Sequence, residues 1–208
     1  MNIKNIIFDF GNIISTFKYH EIVSNYTSDP EIIDFIEKEV IHSKEWLGEG
    51  LIDKGDITLE EAADRINSRT NYIHEKEVKD FLLGFSYHLD YNGEILKLIN
   101  ELRTNGYKLY VLSNTTYEVF NKFYSVLNPL FDGLVLSYEI HEIKPERPIY
   151  EYLLDKYNLK PEECLFIDDN LDNINTANSI GIKGRQINKN DFNDILKVLK
   201  EYKILKED

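Results

Sequence analysis

Apolar residues along this 208-residue chain recur in two rhythms. Residues 3 to 8 (IKNIIF), 107 to 112 (YKLYVL), 132 to 136 (DGLVL) and 164 to 167 (CLFI) are short apolar or β-branched runs without strict alternation. That pattern predicts strands buried on both faces of a parallel sheet. GIKGRQI, 181 to 187, is a weaker fifth run. Between the runs the spacing turns helical. EILKLINELRTNG ends on Arg103 and Gly106, two C-terminal signals, and PIYEYLLDKYN, DNINTANSIG and the final NDFNDILKVLKEYKIL carry apolar stripes. Strand and helix alternate from about residue 92, which predicts an α/β fold with a Rossmann-like, doubly wound parallel sheet.

The first strand stands apart, because residues 16 to 89 read as helices only. YHEIVSNYT, PEIIDFIEKEVIHSKEWL, ITLEEAADRINSRT and HEKEVKDFLLGFSYHL all have helical apolar spacing, and Thr58 with Glu61 forms a capping-box pattern. The expected plan is a catalytic core of residues 1–15 and 90–208 with an all-helical cap inserted at 16–89. The acidic KED at the C-terminus reads as solvated.

Composition narrows the partners. A hydrophobic content of 42% in 208 residues supports one domain with a real core. The net charge of −13 argues against wrapping nucleic acid or docking on anionic lipid, both of which need basic surface. An anionic substrate would need a local positive pocket. Cys164, the only cysteine, has no partner for an internal disulfide, and no Cys/His cluster has zinc spacing. MNIKNIIFDF lacks a signal-peptide pattern, and no apolar run approaches the roughly 18 residues of a membrane span. A soluble cytoplasmic protein is expected; nothing in the pattern specifies an oligomeric state.

In an open parallel sheet, ligands sit beyond the carboxyl ends of the strands. The polar residues following each predicted strand are therefore the candidate site. They are Asp9, Gly11 and Asn12 after the first, Ser113, Asn114 and Thr115 after the second, Lys144 beyond the third, and Asp168, Asp169 and Asn170 after the fourth. Three carboxylates gathered at one rim raise one another's pKa unless a cation neutralises them, and oxygen-only ligands favour a hard ion such as Mg²⁺. The ion and Lys144 could hold a phosphate between them. Ser113 and backbone N–H groups at the next helix start could bind its oxygens, leaving Asp9 placed for in-line attack on phosphorus.

FDFGNII, VLSNT, KPERPIY and FIDDNLDNINTANSIG, in that order, resemble the four motifs of the haloacid dehalogenase-like hydrolase superfamily. In particular the chain resembles its small phosphatases with a helical cap after the first motif, including the bacterial glucose-1-phosphatase group, which shares the GN pair. The resemblance implies a phosphatase acting on a small phosphorylated metabolite, with a sugar phosphate favoured, and Mg²⁺ as cofactor. It implies Asp9 as the nucleophile that forms an aspartyl-phosphate, Ser113 as the phosphate-binding hydroxyl, and Lys144 as the charge-balancing lysine. Asp169 would be the main motif-four ligand, with Asp168 a second ligand or a lysine-orienting carboxylate. Gly11 would bind the metal through its carbonyl, Asn173 would stand behind the ligands, and Asn114 and Asn12 would lie on the phosphate or substrate side.

Gly11 departs from the pattern. Most phosphatases of the superfamily carry there a second Asp, which protonates the leaving group and later activates water. General acid–base groups contribute roughly 10² to 10⁴ in rate, so a substitute is expected, with His20, Glu21 and His141 as candidates, or else a substrate whose leaving group needs little protonation.

Structural alternatives accompany each residue. Asp9 could cap a strand end, Ser113-Asn114 a helix, and Asp168-Asp169-Asn170 the helix beginning near Leu171, while Lys144-Pro145 could be a loop lysine before a stiff turn. Trp46 and Tyr72 read as core or cap packing. Rival functions are a 2-haloacid dehalogenase, which needs no metal and leaves Asp168-Asp169 unexplained; a phosphomutase, disfavoured by Gly11; and a non-enzymatic binding or regulatory module with a decayed site.

Overall fold

Ile6, Ile7 and Phe8 have no solvent exposure, so strand β1 (Asn5–Phe8) has to be covered on both faces. The computed structural model, which describes residues 2–206, achieves this with a five-stranded parallel sheet. After β1 come a two-residue strand β2 (Ser15–Thr16) and helices α1 (Tyr19–Val23), α2 (Pro30–Phe35), α3 (Leu59–Arg69) and α4 (Glu75–Gly84). Strand β3 (Asp90–Tyr91) pairs antiparallel with β2 and brings the chain back to the sheet. Then follow α5 (Gly93–Thr104), β4 (Lys108–Ser113), α6 (Tyr117–Leu127), β5 (Gly133–Leu136) and α7 (Ser137–Ile140). The chain ends with α8 (Arg147–Tyr157), β6 (Cys164–Asp168), α9 (Leu171–Ser179), β7 (Lys183–Gln186) and α10 (Phe192–Glu201).

The strand order is β5-β4-β1-β6-β7, with β1 at the centre. All five predicted runs are strands of this sheet, the weak GIKGRQI included. The two-residue period of a strand divides the core. Ile6 and Phe8 join one apolar cluster with Leu109, Val111, Leu165 and Ile167, whereas Ile7 joins Tyr110, Leu112 and Phe166 on the opposite face, under Ile149, Tyr150 and Leu153 of α8. The first cluster continues without a break into Trp46, Val78, Phe81 and Phe85 of the inserted segment.

That segment is not purely helical. Besides the β2–β3 pair, PEIIDFIEKEVIHSKEWL breaks after α2 into two π-helical stretches, Ile36–Ile41 and Lys44–Gly48. The break falls at Ser43, whose backbone is extended and whose hydroxyl donates to the Val40 carbonyl at 2.7 Å. Such a bond competes with the helical ladder. Residues 49–57 are turns rather than helix. At α3 the capping box is complete: Thr58 accepts from the Glu61 N–H at 3.1 Å and Glu61 accepts from the Thr58 N–H at 3.0 Å. Among the described residues no helix is long and apolar enough to cross a membrane, and Cys164 is a buried free thiol. Glu207 and Asp208 of the terminal KED lie outside the described residues.

Thr58→Ala removes half of the box, so it should cost about 1 kcal/mol and lower Tm by roughly 2–4 °C, measured by thermal unfolding, with steady-state activity retained.

Candidate active site

The sheet register brings the candidate groups to one rim. Asp9 directly follows β1, and its N–H still donates to the Ile167 carbonyl at 2.9 Å, so the ladder holds its backbone. Its neighbour strand β6 ends on Asp168, which is completely buried. Lys144 enters from the loop after α7, only 3% exposed, and its ammonium lies 2.6 Å from Asp9 Oδ1 and 2.7 Å from Asp168 Oδ2.

Each of the three is braced. Asn114, just past β4, donates to the Lys144 carbonyl and accepts from the Lys144 N–H, both at 2.8 Å. Its amide is thus committed to positioning the lysine rather than turned to a substrate. Asn173 of α9 donates to both Asp168 oxygens, at 3.1 and 2.9 Å, and the Asn170 N–H donates to Oδ1 at 2.7 Å. Asp168 thus accepts four hydrogen bonds from three donors, Lys144, Asn170 and Asn173, and holds the lysine in place. Asn12, in left-handed backbone with φ 58°, donates to Asp169 Oδ2 at 3.1 Å and so aims that carboxylate.

The electrostatics leave the site short of positive charge. Burial, reinforced by Asp168 and Asp169, pushes the Asp9 carboxyl up to about 7 even against the pull of Lys144. Burial and Asp168 likewise raise Asp169. Lys144 is pushed down by burial, yet Asp168 and Asp9 outweigh this and leave it raised, so it stays charged. Asp9, Asp168 and Asp169 each offer a carboxylate oxygen, all within 4.8 Å of one another. One buried ammonium, with the exposed Lys189 no nearer than 4.0 Å to Asp169, faces three carboxylates, and this all-oxygen donor set fits a hard divalent cation.

A cavity of about 150 Å³ opens beside Asp9, Gly11, Asn12 and Asp169. Ser113 does not line it; the hydroxyl is fully buried and donates to the Asn114 carbonyl at 3.3 Å, while Asn114, Thr115 and Thr116 form that wall. The helix cap expected at Ser113-Asn114 is Thr116, which accepts from the Val119 N–H. Asn170 alone caps α9, accepting from the Asp172 N–H. His20, Glu21 and His141 do not reach the cavity, for they pair at the surface with Glu37, Lys18 and Asp56. Trp46 is buried as expected but also lines the cavity, whereas Tyr72 is 61% exposed and not core.

Sequence reasoning missed Asp53, Tyr19 and Phe85 of the inserted segment, which also line the cavity, along with Phe17 and Leu47. One signal was available for Asp53: it lies between Gly50 and Gly55 in a stretch poor in helical spacing.

The sheet is that of a doubly wound α/β protein, with a buried lysine and three carboxylates gathered at the strand ends beside a cavity. The chain belongs to the haloacid dehalogenase-like hydrolase family, whose model matches residues 3–181. Over 196 residues it is 27% identical to the D-ribitol-5-phosphate phosphatase of Bacteroides thetaiotaomicron, covering 87% of this chain and 90% of that one. It is 26% identical over 220 residues to the glyceraldehyde 3-phosphate phosphatase of Methanocaldococcus jannaschii, covering 93% and 88%. A crystal structure of a family enzyme from Bacteroides thetaiotaomicron, solved as a magnesium complex, superposes with a TM-score of 0.76 at 24% identity over 95% of this chain and 99% of that one.

A carboxyl whose folded pKa is about 7 against an ordinary 3.8 holds its proton more tightly when folded. Folding stability contributed by that proton is full below pH 3.8 and is lost as pH rises through about 7, with a total on the order of 4 kcal/mol. In EDTA, Asp9→Asn should therefore flatten this decline and unfold several degrees above the wild type at pH 8; an unchanged pH profile of Tm would contradict the charge balance.

Proposed function

We propose that this hydrolase is a Mg²⁺-dependent phosphomonoesterase that acts on a small phosphorylated metabolite, a sugar phosphate above others, through an aspartyl-phosphate on Asp9. The observation that carries this reading is the Asp9–Lys144–Asp168 triad: a carboxylate at the cavity, held from behind by a buried ammonium that a second carboxylate orients. We take residues 16–89 as the cap and residues 1–15 and 90–208 as the catalytic core.

Asp9 Oδ attacks phosphorus in line with the departing oxygen. Lys144 stays protonated and offsets the negative charge of nucleophile and phosphoryl group together, which requires its two carboxylate contacts and the Asn114 clamp to hold it still. The Thr115 N–H is spent on the Ser137 hydroxyl, so the N–H groups of Asn114 and Thr116, which line the cavity where Ser113 does not, are the backbone groups left to take phosphate oxygens. Asp9, Asp169 and the Gly11 carbonyl would hold Mg²⁺, with Asp168 completing the acidic set. When bound, the ion neutralises the carboxylates and polarises the phosphoryl group.

Substrate size is supported by the cavity. At about 150 Å³ it matches an engineered void that takes benzene, so a phosphate there leaves room for a short leaving group. Its wall pairs aromatic rings, Phe17, Tyr19, Trp46 and Phe85, with polar groups from Asp53 and Thr116, an arrangement suited to the apolar faces and hydroxyls of a sugar or polyol. The relatives named for ribitol-5-phosphate and glyceraldehyde 3-phosphate act on compounds of this kind.

A panel of phosphorylated polyols and sugars, with p-nitrophenyl phosphate, should release inorganic phosphate with Mg²⁺ and not with EDTA. Asp9→Asn should lower the rate on the order of 10³ or more. Chloride released from 2-chloropropionate without divalent cation, and no phosphate from any ester, would move the assignment to a haloacid dehalogenase. Inactivity on both panels would move it to a binding module.

A further inference from the structure

We propose that Asp53, on the inserted segment, is the general acid and base of this enzyme, supplying from the cap side the proton that Gly11 cannot. The assignment rests on the phosphatase reading, since it concerns the leaving group of that reaction.

In-line displacement by Asp9 puts the departing oxygen on the side of the cavity away from the sheet. The inserted segment contributes Phe17, Tyr19, Trp46, Leu47, Phe85 and Asp53 itself, and Phe17 and Leu47 carry no transferable proton. Trp46 and Phe85 have no transferable proton suited to the task. Tyr19 is pushed far up by burial and by the charges of Asp53, Asp169 and Asp9, so its phenol is a poor acid. Thr115 and Thr116 are alcohols, far too weak as acids to protonate a leaving group in competition with a carboxyl, and Asp169 accepts from Asn12. Asp53 is the one cap-side carboxyl lining the cavity.

Its position is fixed by the core rather than by the cap alone. The Ser137 hydroxyl, at the end of β5, donates to the Asp53 carbonyl. Lys54 pairs with Glu146 at 3.0 Å and Asp56 with His141 at 3.2 Å, so the residues that follow Asp53 are tied to the two ends of the loop that carries Lys144. Gly50 and Gly55 both take φ 69°, and a Cβ on Gly55 would stand 2.9 Å from the Tyr138 carbonyl oxygen, closer than a side chain allows. The turn is shaped to lie flat on the core with its carboxyl facing Asp9's cavity. The Trp46 side chain lines the same cavity and favours the ionised form of that carboxyl.

The groups facing Asp53 are the Tyr19 phenol, the Lys144 ammonium and the Trp46 indole. Burial pushes its carboxyl up to about 7, while Trp46 and Lys144 hold it from rising further. A group balanced there can serve as acid and base within one turnover.

The step balances. As the Asp9 Oδ–phosphorus bond forms and the phosphorus–oxygen bond to the leaving group breaks, the Asp53 proton passes to that oxygen and an alcohol departs. The Asp53 carboxylate then takes a proton from the water whose oxygen displaces Asp9 from phosphorus, which releases inorganic phosphate and restores both carboxyls.

The test is a leaving-group contrast on the full chain with Mg²⁺. Asp53→Asn should lower kcat on an alkyl phosphate roughly 10²- to 10⁴-fold and on p-nitrophenyl phosphate less than about tenfold, because p-nitrophenolate departs without a proton. Adding Gly11→Asp to that variant should restore much of the alkyl rate. The space exists, since a Cβ at Gly11 meets only Phe17 Cδ2, at 3.8 Å. Should Asp53→Asn not fold, by near-UV circular dichroism, Asp53→Ser is read the same way. Equal loss on both substrates, or no loss on the alkyl ester, overturns the role of Asp53 while leaving the phosphatase intact. A wild type that hydrolyses neither ester overturns the phosphatase reading itself.

Discussion

One buried ammonium between two carboxylates sets the terms for this structure. Lys144 is nearly sealed from water, and an isolated charge there would be strongly disfavoured. It is tolerated because Asp9 and Asp168 lie within 2.7 Å and because the lysine's own backbone and Asp168 are hydrogen-bonded in turn. The parallel pairing of β1 with β6 puts the two acids side by side, Asn173 and the start of α9 saturate Asp168, and Asn114 grips the lysine's own backbone. Adjacent strand order is therefore a condition for the site and not merely its scaffold.

The triad is still short of positive charge, and that imbalance gives the site its chemistry. Asp9 is held in a setting that disfavours its ionised form, with Asp168 and Asp169 adding to the effect of burial. A hard cation relieves the imbalance, whereas a phosphate ester, itself an anion, adds to the negative charge and so binds with such a cation rather than in its place. The same low-polarity surroundings, built from Phe10, Phe17, Trp46 and Phe85, strengthen whatever electrostatic contacts a bound substrate makes.

The inserted segment is part of this balance. Its aromatic cluster, with Trp46 4.6 Å from Phe85 and both near Phe81, is continuous with the apolar face beneath α5 and α6. The turn between Gly50 and Gly55 rests on the loop that presents Lys144. Core and segment therefore share one cavity, and a displacement of either changes the surroundings of Asp9.

The strands, the α/β alternation and the three carboxylates were legible in the chain because each depends on local pattern: IIF and CLFI are apolar enough to require burial, and an acid directly after such a run is costly without a partner. Thr58 and Glu61 were legible for the same reason, since a capping box is closed within four residues. The placement of Ser113 away from the cavity, the commitment of Asn114 to the Lys144 backbone, the Ser43 break and above all Asp53 were not. The hold of Asn114 on Lys144 and the seat of Asp53 depend on groups brought together across 30 and 84 residues of chain, whose approach no periodicity encodes, while the Ser43 and Ser113 bonds are local but leave no mark on apolar spacing. The sequence by itself determined which residues had to leave water and which charges would meet at the strand ends, because burial and strand direction follow from composition and order. Only the tertiary structure decided what stands opposite Asp9, because that wall is made by packing the inserted segment onto the core.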